Sequence, residues 1–548
     1  MKQVYPSIFK RLLRFLIIPI ILWQSLVASA QSLDVPLGDE LYREVYDFID
    51  RMVARQVTTK VFKNTRPYSN AEVAQALIEL EKKVEEGNVK LSKIERRRLY
   101  QLLPLQQKTR NPPTNGSALF KDRLFGEHSH LFITQGDKHR FYVDFGVGEN
   151  LRRRETKEGK TDNATLFRPT VGGQIRDNFA FYSDLKVYYI GSAVDKDFPK
   201  TEARIAQYPV KSKTGALTTY YMKFKLPWFE LFLGKDNLHW GPGRHGALLL
   251  SENPLPMNMI KLTARYYPIK FQAVTGTLGS DIARKYLSGH RVELNLFEKL
   301  RLGVAEVIVY DERFETIYLN PVQIYTVTEI PAKVVSGESK ESPDNTLISG
   351  DFELALVRNL ELYGEILIDD FRPFAYGLRS YRNWASKFGV LLGCYYVDPL
   401  SLENTDFRVE YAFINQYTYT HTPPVTAYTH FDSIIGHKIG TDADNLWVNL
   451  RHWFTPNFTA SLSYELERHG EGNVNKPHSP DAPSDDEWEF LSGVTESTQS
   501  IILSASYNLI GKCSATLEYT HSWVKNASNQ VGKKTQKDQV ILSGQYRF

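Results

Sequence analysis

The stretch from Gly234 to Ser251 gathers the side chains best able to do chemistry. It reads Gly-Lys-Asp-Asn-Leu-His-Trp-Gly-Pro-Gly-Arg-His-Gly and runs on through Ala247 to Leu248, Leu249, Leu250 and Ser251. Asp236, His239, His245 and Ser251 are residue types found in hydrolases. A hydrolase needs a nucleophile held against a base that is itself oriented. The sequence fixes no such pair, so no catalytic residue is assigned and the chain is read as a non-enzyme. His239 and His245 could begin a metal site, but no further ligands stand at a plausible spacing. No metal and no cofactor is expected. Arg244 can pair with a carboxylate of the protein or with an acidic sugar. Trp240 can stack on a sugar ring or pack in the interior. Asp236, His239, Trp240, Arg244 and His245 therefore form the candidate ligand-binding set.

What positions this stretch is a pattern of period two. Eighteen candidate strands start near residues 140, 164, 178, 217, 228, 260, 269, 287, 299, 345, 359, 385, 405, 443, 457, 498, 512 and 538. Their connections alternate short and long, as in bacterial barrels with short periplasmic turns and long external loops. Short ones fall at Arg176-Asp177, Pro227, Pro268, Glu298, Arg358, Pro456-Asn457 and Ile510-Gly511; long ones span 191–216, 236–259, 311–344, 418–442 and 469–497. The candidate set then opens a long external loop. Gly241, Pro242, Gly243 and Gly246 give that loop a tight backbone path. Leu248, Leu249 and Leu250 are too apolar for a solvated loop, so the loop is expected to fold into the lumen and plug it.

The strands show the dyad of a wall with one face in lipid. Phe458, Ala460, Leu462, Tyr464 and Leu466 alternate with Thr459, Ser461, Ser463, Glu465 and Glu467. Charges facing lipid cost a few kcal/mol near the midplane, so the charged parity must face the lumen. The lumen charges are of both signs: Asp144, Lys186, Arg291, Glu293, Arg408, Glu410, Arg451 and Glu465. Such a mixture fits a lumen crossed by ion pairs better than a charge-selective pore. The final strand ends on Tyr546, Arg547 and Phe548, with Val540, Leu542, Gly544 and Tyr546 on one side, like the closing strand of an outer-membrane barrel.

Composition agrees. The chain carries 31 Tyr, 30 Phe and 8 Trp, a load suited to aromatic girdles at both membrane interfaces. Residues 1–30 read as a signal peptide: Lys2, Lys10, Arg11 and Arg14 precede an apolar run that closes on Ala28-Ser29-Ala30. The remainder holds 63 basic and 63 acidic residues, so a net charge of +4 is no argument for nucleic acid. Cys394 and Cys513 form no framework and are read as free wall thiols. Residues 31–110 are expected to be a periplasmic helical bundle. Leu41, Val45, Phe48, Ile49 and Met52 share one helical face, and Ser69…Glu72 and Ser92…Glu95 are capping boxes. Arg96, Arg97 and Arg98 are read as a solvated face. Residues 111–139 are a linker with an extra strand near His130–Gln135, and 140–548 the barrel.

The Trp240–Gly246 loop with its leucine run and Asn253-Pro254 resembles the Wzi family of capsule-assembly outer-membrane proteins. Gly289–Glu293, Tyr318–Pro321, Asp344–Leu347, Tyr363–Glu365, Ile368–Phe371 and Thr65–Ser69 share the likeness. The resemblance implies an 18-stranded barrel with an N-terminal periplasmic helical domain. It also implies a lectin-like role, holding exported capsular polysaccharide on the cell surface. The alternative is a porin-type channel for small solutes or oligosaccharides. Expected partners are surface polysaccharide, outer-membrane lipids with lipopolysaccharide, and the barrel-insertion machinery, with the protein a monomer.

Overall fold

Alternation builds the wall. The computed structural model describes residues 33–107, 116–119, 130–136, 138–155, 161–176, 178–190, 214–280, 284–311, 314–326, 344–370, 386–479 and 487–548. The expected signal peptide and the loop 191–213 lie outside these residues. Eighteen antiparallel strands close on themselves. They are β1 His139–Glu155, β2 Thr161–Ile175, β3 Phe179–Ile190, β4 Thr214–Lys225, β5 Glu230–Asp236, β6 Met257–Tyr266, β7 Ile269–Leu278, β8 Lys285–Leu296 and β9 Leu300–Asp311. There follow β10 Asn345–Val357, β11 Leu360–Asp370, β12 Lys387–Val397, β13 Thr405–Ile414, β14 Ala443–Trp453, β15 Phe458–His469, β16 Glu496–Leu509, β17 Cys513–Lys525 and β18 Lys534–Arg547. The barrel closes between β18 and β1, from Asp538 opposite Glu155 to Arg547 opposite Gly146. Beyond that point the edge of β1 is taken by the extra strand Phe132–Gly136. Cys394 and Cys513 are free thiols in the wall.

Outward positions carry the apolar parity. Leu462, Leu517, Leu542, Leu392 and Ile366 are exposed on the outer face, while Glu365, Glu410 and Arg451 point inward. Among the described residues no helix is long and apolar enough to cross a membrane.

Three helices precede the barrel: α1 Arg43–Ala54, α2 Asn70–Glu85 and α3 Lys93–Gln107. Both capping boxes form. The Ser69 hydroxyl accepts from the Glu72 amide at 3.2 Å and the Glu72 carboxylate accepts from the Ser69 amide at 2.9 Å. Ser92 and Glu95 repeat the exchange at 3.1 and 2.9 Å. The predicted apolar face of α1 is buried. One expectation fails: Arg98 is buried rather than solvated. Its guanidinium lies 3.2 Å from Glu44 and 5.2 Å from the Trp453 ring.

The helical segment does not stand beside the barrel; it enters the end that carries the short turns. The Asn359 amide donates to the Ala54 carbonyl and the Gly511 amide to the Leu41 carbonyl, each at 2.9 Å. Its charges meet the lumen wall. Asp34 binds Lys223 at 2.7 Å, Arg51 binds Asp406 at 2.6 Å, Lys63 binds Glu361 at 2.6 Å, and Glu72 binds Lys270 at 3.0 Å. Asp39 pairs with Arg168, and Asp47 and Glu44 with Arg451. Each buried charge thus finds a partner, without which it would carry a desolvation penalty of several kcal/mol.

Candidate functional site

The loop after β5 begins as a strand fragment inside the barrel. His239–Trp240 pairs antiparallel with Thr65–Arg66 of the helical segment, Trp240 opposite Thr65. The Gly241 amide donates to the Asn64 carbonyl at 2.9 Å. The two chains that enter the lumen from opposite ends therefore join in one small sheet. Gly241 needs its glycine: φ is 131°, and an added Cβ would lie 2.7 Å from a Glu365 carboxylate oxygen.

Two wall carboxylates then seize the loop backbone. Glu410 accepts from the amides of Arg244 and His245 at 2.6 and 2.9 Å, and from the Tyr363 hydroxyl at 2.7 Å. Glu365 accepts from the amides of Leu248 and Leu249 at 2.9 and 3.1 Å, and from Ser349 at 3.1 Å. Consecutive amides turned to one carboxylate form an anion nest, and here the anion belongs to the barrel.

The leucine run is buried, as its composition requires. A second infolded loop, 415–442, covers it. Tyr419 donates its hydroxyl to the Leu248 carbonyl at 2.5 Å and Tyr428 donates to the Leu249 carbonyl at 2.9 Å. An added Cβ on Gly436 would stand 2.1 Å from the Leu248 carbonyl oxygen. The expected external loop 418–442 is thus a second layer of the plug.

The five candidate residues divide. Asp236 is buried at the end of β5 and accepts from the Asn237 amide at 2.8 Å. His239 is buried 3.8 Å from Glu252. Burial, reinforced by Arg66, Arg244 and Arg291, pushes its imidazole well below the usual histidine range, so it is neutral at pH 7. The Trp240 ring is fully buried and donates its indole N–H to Gln272 at 3.0 Å. Of the five only Arg244 lines an open space, and His245 beside it is half-buried. The Arg244 guanidinium pairs with Asp47 of α1. His245 lies flat on Trp447, with ring centres 4.6 Å apart and planes 8° from parallel, and its Nε2 is 2.8 Å from Glu465. Glu465 also meets Lys438 at 3.0 Å and Asn445 at 2.9 Å.

That space is a polar cavity of about 90 Å³ between α1 and the wall, lined among others by Arg244, Trp447, Asn449, Arg451, Ser461 and Thr516. The plug is eccentric. Inward residues of β6 to β13 are mostly buried, whereas Ser504, Ser506, Thr516, Glu518, Thr520 and Ser543 across the lumen are half-buried. The Ser251 hydroxyl is engaged by the loop: it donates to the Gly436 carbonyl at 2.6 Å and accepts from the Asn253 amide at 3.0 Å. Among the described residues, no group of three His, Cys, Asp or Glu side chains could hold a metal. Trp447 escaped sequence analysis. It sits at an inward position of β14, and one aromatic residue at that parity gives no signal until the barrel is closed.

An 18-stranded barrel with an apolar outer face and a lumen filled from both ends is a transmembrane β-barrel of the outer-membrane class. Within that class the family can be named. The family model "Capsule assembly protein Wzi" matches residues 148–539, and the chain belongs to that family. Among solved structures it is similar to Wzi of Escherichia coli, an outer-membrane protein involved in group 1 capsule assembly and described as a carbohydrate-binding β-barrel. Identity is 13%, the TM-score is 0.57, and 93% of this chain and 99% of that chain are covered. Looser likenesses are to two proteins of Pseudomonas aeruginosa. The outer-membrane protein OprD has 10% identity and a TM-score of 0.43, with 74% and 93% covered. The outer-membrane protein OpdK has 11% identity and a TM-score of 0.42, with 74% and 98% covered. No curated protein matches in sequence.

Proposed function

We propose that the protein is a non-enzymatic, lectin-like component of the outer membrane that holds exported capsular or related surface polysaccharide at the cell surface. The observation that carries this reading is the double plug. A barrel of this strand number is wide enough for an aqueous channel, yet two external loops and the helical segment are pinned across it by paired charges. A channel has no use for such an investment; a scaffold presenting rigid external loops does. Membership of the capsule-assembly family supports the same reading, as does the description of the Escherichia coli relative as carbohydrate-binding. The committed state of Ser251, whose hydroxyl is bound to the Gly436 carbonyl, does not favour hydrolysis.

In this reading residues 31–110 enter the barrel from its periplasmic end, 111–139 link them to the wall, and 140–548 form a monomeric barrel delivered by the barrel-insertion machinery. Arg244 and His245 supply contacts to glycan, with Trp447 as a ring platform beneath His245. Asp236, His239 and Trp240 hold the loop in place. The test is a glycan-binding screen of the purified full-length protein beside His245→Ala and Trp447→Ala. Binding of acidic surface polysaccharides by the parent and a loss of about tenfold in either variant, near 1.4 kcal/mol, is expected. A parent that binds no glycan and conducts like an open porin would replace this reading by the channel.

A further inference from the structure

One external segment goes neither into the lumen nor into solvent. Residues 314–326, after β9, turn back over the outside of the wall. The inward parity of β8 and β9 is fixed by Arg291, 2.9 Å from Thr65, and by Arg301, 3.4 Å from the Thr59 carbonyl. His290, Glu306, Ile308 and Tyr310 have the opposite parity and therefore face outward. Yet Glu306, Ile308 and Tyr310 are buried. What buries them is the returning segment. Tyr318 packs on Tyr310 with ring centres 4.9 Å apart, and Tyr325 packs on His290 at 4.9 Å.

The covered surface has a reason to be covered. Along the ladder through Glu306 the outward residues are Leu231, Leu262 and Ala273 on one side and Ile348, Ile368 and Phe388 on the other. His290 and Glu306 are the only ionisable pair in that apolar row, 3.3 Å apart. The returning segment satisfies the carboxylate with its own backbone. The amides of Tyr325 and Thr326 each donate to Glu306 at 2.8 Å, and the Thr326 hydroxyl donates as well. Its other side is largely apolar: Phe314, Ile317, Leu319, Val322 and Ile324 are exposed, Val322 to 78%, interspersed with exposed Glu315, Thr316 and Asn320 and half-buried Gln323. That patch continues the outer belt of the barrel, where Val304 of β9 is 62% exposed and Phe352 and Leu356 of β10 are exposed beside it.

We propose that residues 314–326 form a membrane-embedded flap that shields the His290–Glu306 pair and presents Phe314, Ile317, Leu319, Val322 and Ile324 to the acyl chains of the outer leaflet. Apolar side chains in such number are better placed in hydrocarbon than in water. A buried carboxylate in the wall is tolerated there only while its hydrogen bonds come from protein.

Single nitroxide labels on the full-length protein in liposomes test this. Labels go on Ile317→Cys and Val322→Cys, with Val304→Cys as the wall reference and Val531→Cys in the turn between β17 and β18 as the aqueous reference, all in a Cys394→Ser/Cys513→Ser background. The flap labels should lose accessibility to a water-soluble nickel chelate and gain collisions with oxygen, grouping with position 304. Flap labels that group with position 531 would overturn the proposal. In a second arm, replacing 314–326 by a short Gly/Ser link should lower the fraction of heat-modifiable folded barrel, and His290→Leu with Glu306→Leu should restore it. No loss on replacement, or a loss that the leucine pair leaves unchanged, would overturn the shielding role.

Discussion

At the scale of single residues, the plug hangs on two carboxylates. Glu410 and Glu365 each hold two consecutive loop amides and a hydroxyl. Charge-assisted hydrogen bonds of this kind contribute roughly 1.5–3 kcal/mol each. Glu410→Ala would leave the Arg244 and His245 amides without an acceptor while removing nothing from the strand ladder. The expected result is a loop that leaves the lumen on an intact barrel, seen as faster tryptic cleavage after Arg244. A variant digested at the parental rate would show that the loop is held elsewhere. The types of the candidate residues were legible in the sequence; their division was not. Nothing in Trp240 or His239 as letters says that one ring is sealed against Gln272 and the other imidazole is kept neutral by burial. Arg98 was misread for the same cause: beside Arg96 and Arg97 it looks solvated, and only Glu44 and Trp453, distant in sequence, draw it inside.

At the scale of elements, strands were legible because their period is local. All eighteen observed strands begin within four residues of their expected positions. Both capping boxes are equally local. The docking of the helical segment was invisible, because its partners lie hundreds of residues away: Lys63 with Glu361, Arg51 with Asp406. That docking carries an acid limit. Burial disfavours the Asp50 carboxylate, but Arg66, Lys63, Arg244 and Arg408 outweigh it and hold the carboxyl at about 2 against an ordinary 3.8. Glu72, also opposed by burial, is held at about 2 against 4.5 by Arg265 and Lys270. Both are lowered in the folded protein, so their stabilisation is complete above about pH 5 and is lost as the pH falls through 4 towards 2. Protease protection of residues 33–107 in the detergent-solubilised protein should follow that course. Protection unchanged at pH 2.5, or lost already at pH 6, would contradict it.

At the scale of the whole molecule, the lumen is closed by pieces that arrive from both ends and meet at Trp240 and Thr65. Removing one piece should therefore loosen the other. A barrel closes its own backbone hydrogen bonds, so deletion of Asp34–Leu103 is expected to leave a wall that folds and inserts. That variant should conduct in planar bilayers, and replacing 238–256 by a Gly/Ser link should also open the barrel. The two changes together should give a larger conductance than either alone. A deleted protein that shows no heat-modifiable form would mean that wall and plug fold as one unit. The meeting of the two pieces also sets an order in time. Asp39 docks on Arg168 of β2, Arg51 on Asp406 of β13, and Tyr42 accepts from Arg547 of β18 at 2.8 Å. The docking surface for the earliest part of the described chain is thus complete only after the last strand has joined β1. Full docking of the helical segment is therefore expected to follow closure of the wall. The completed seal, with Arg547 on Tyr42, thus reports that β18 has found β1.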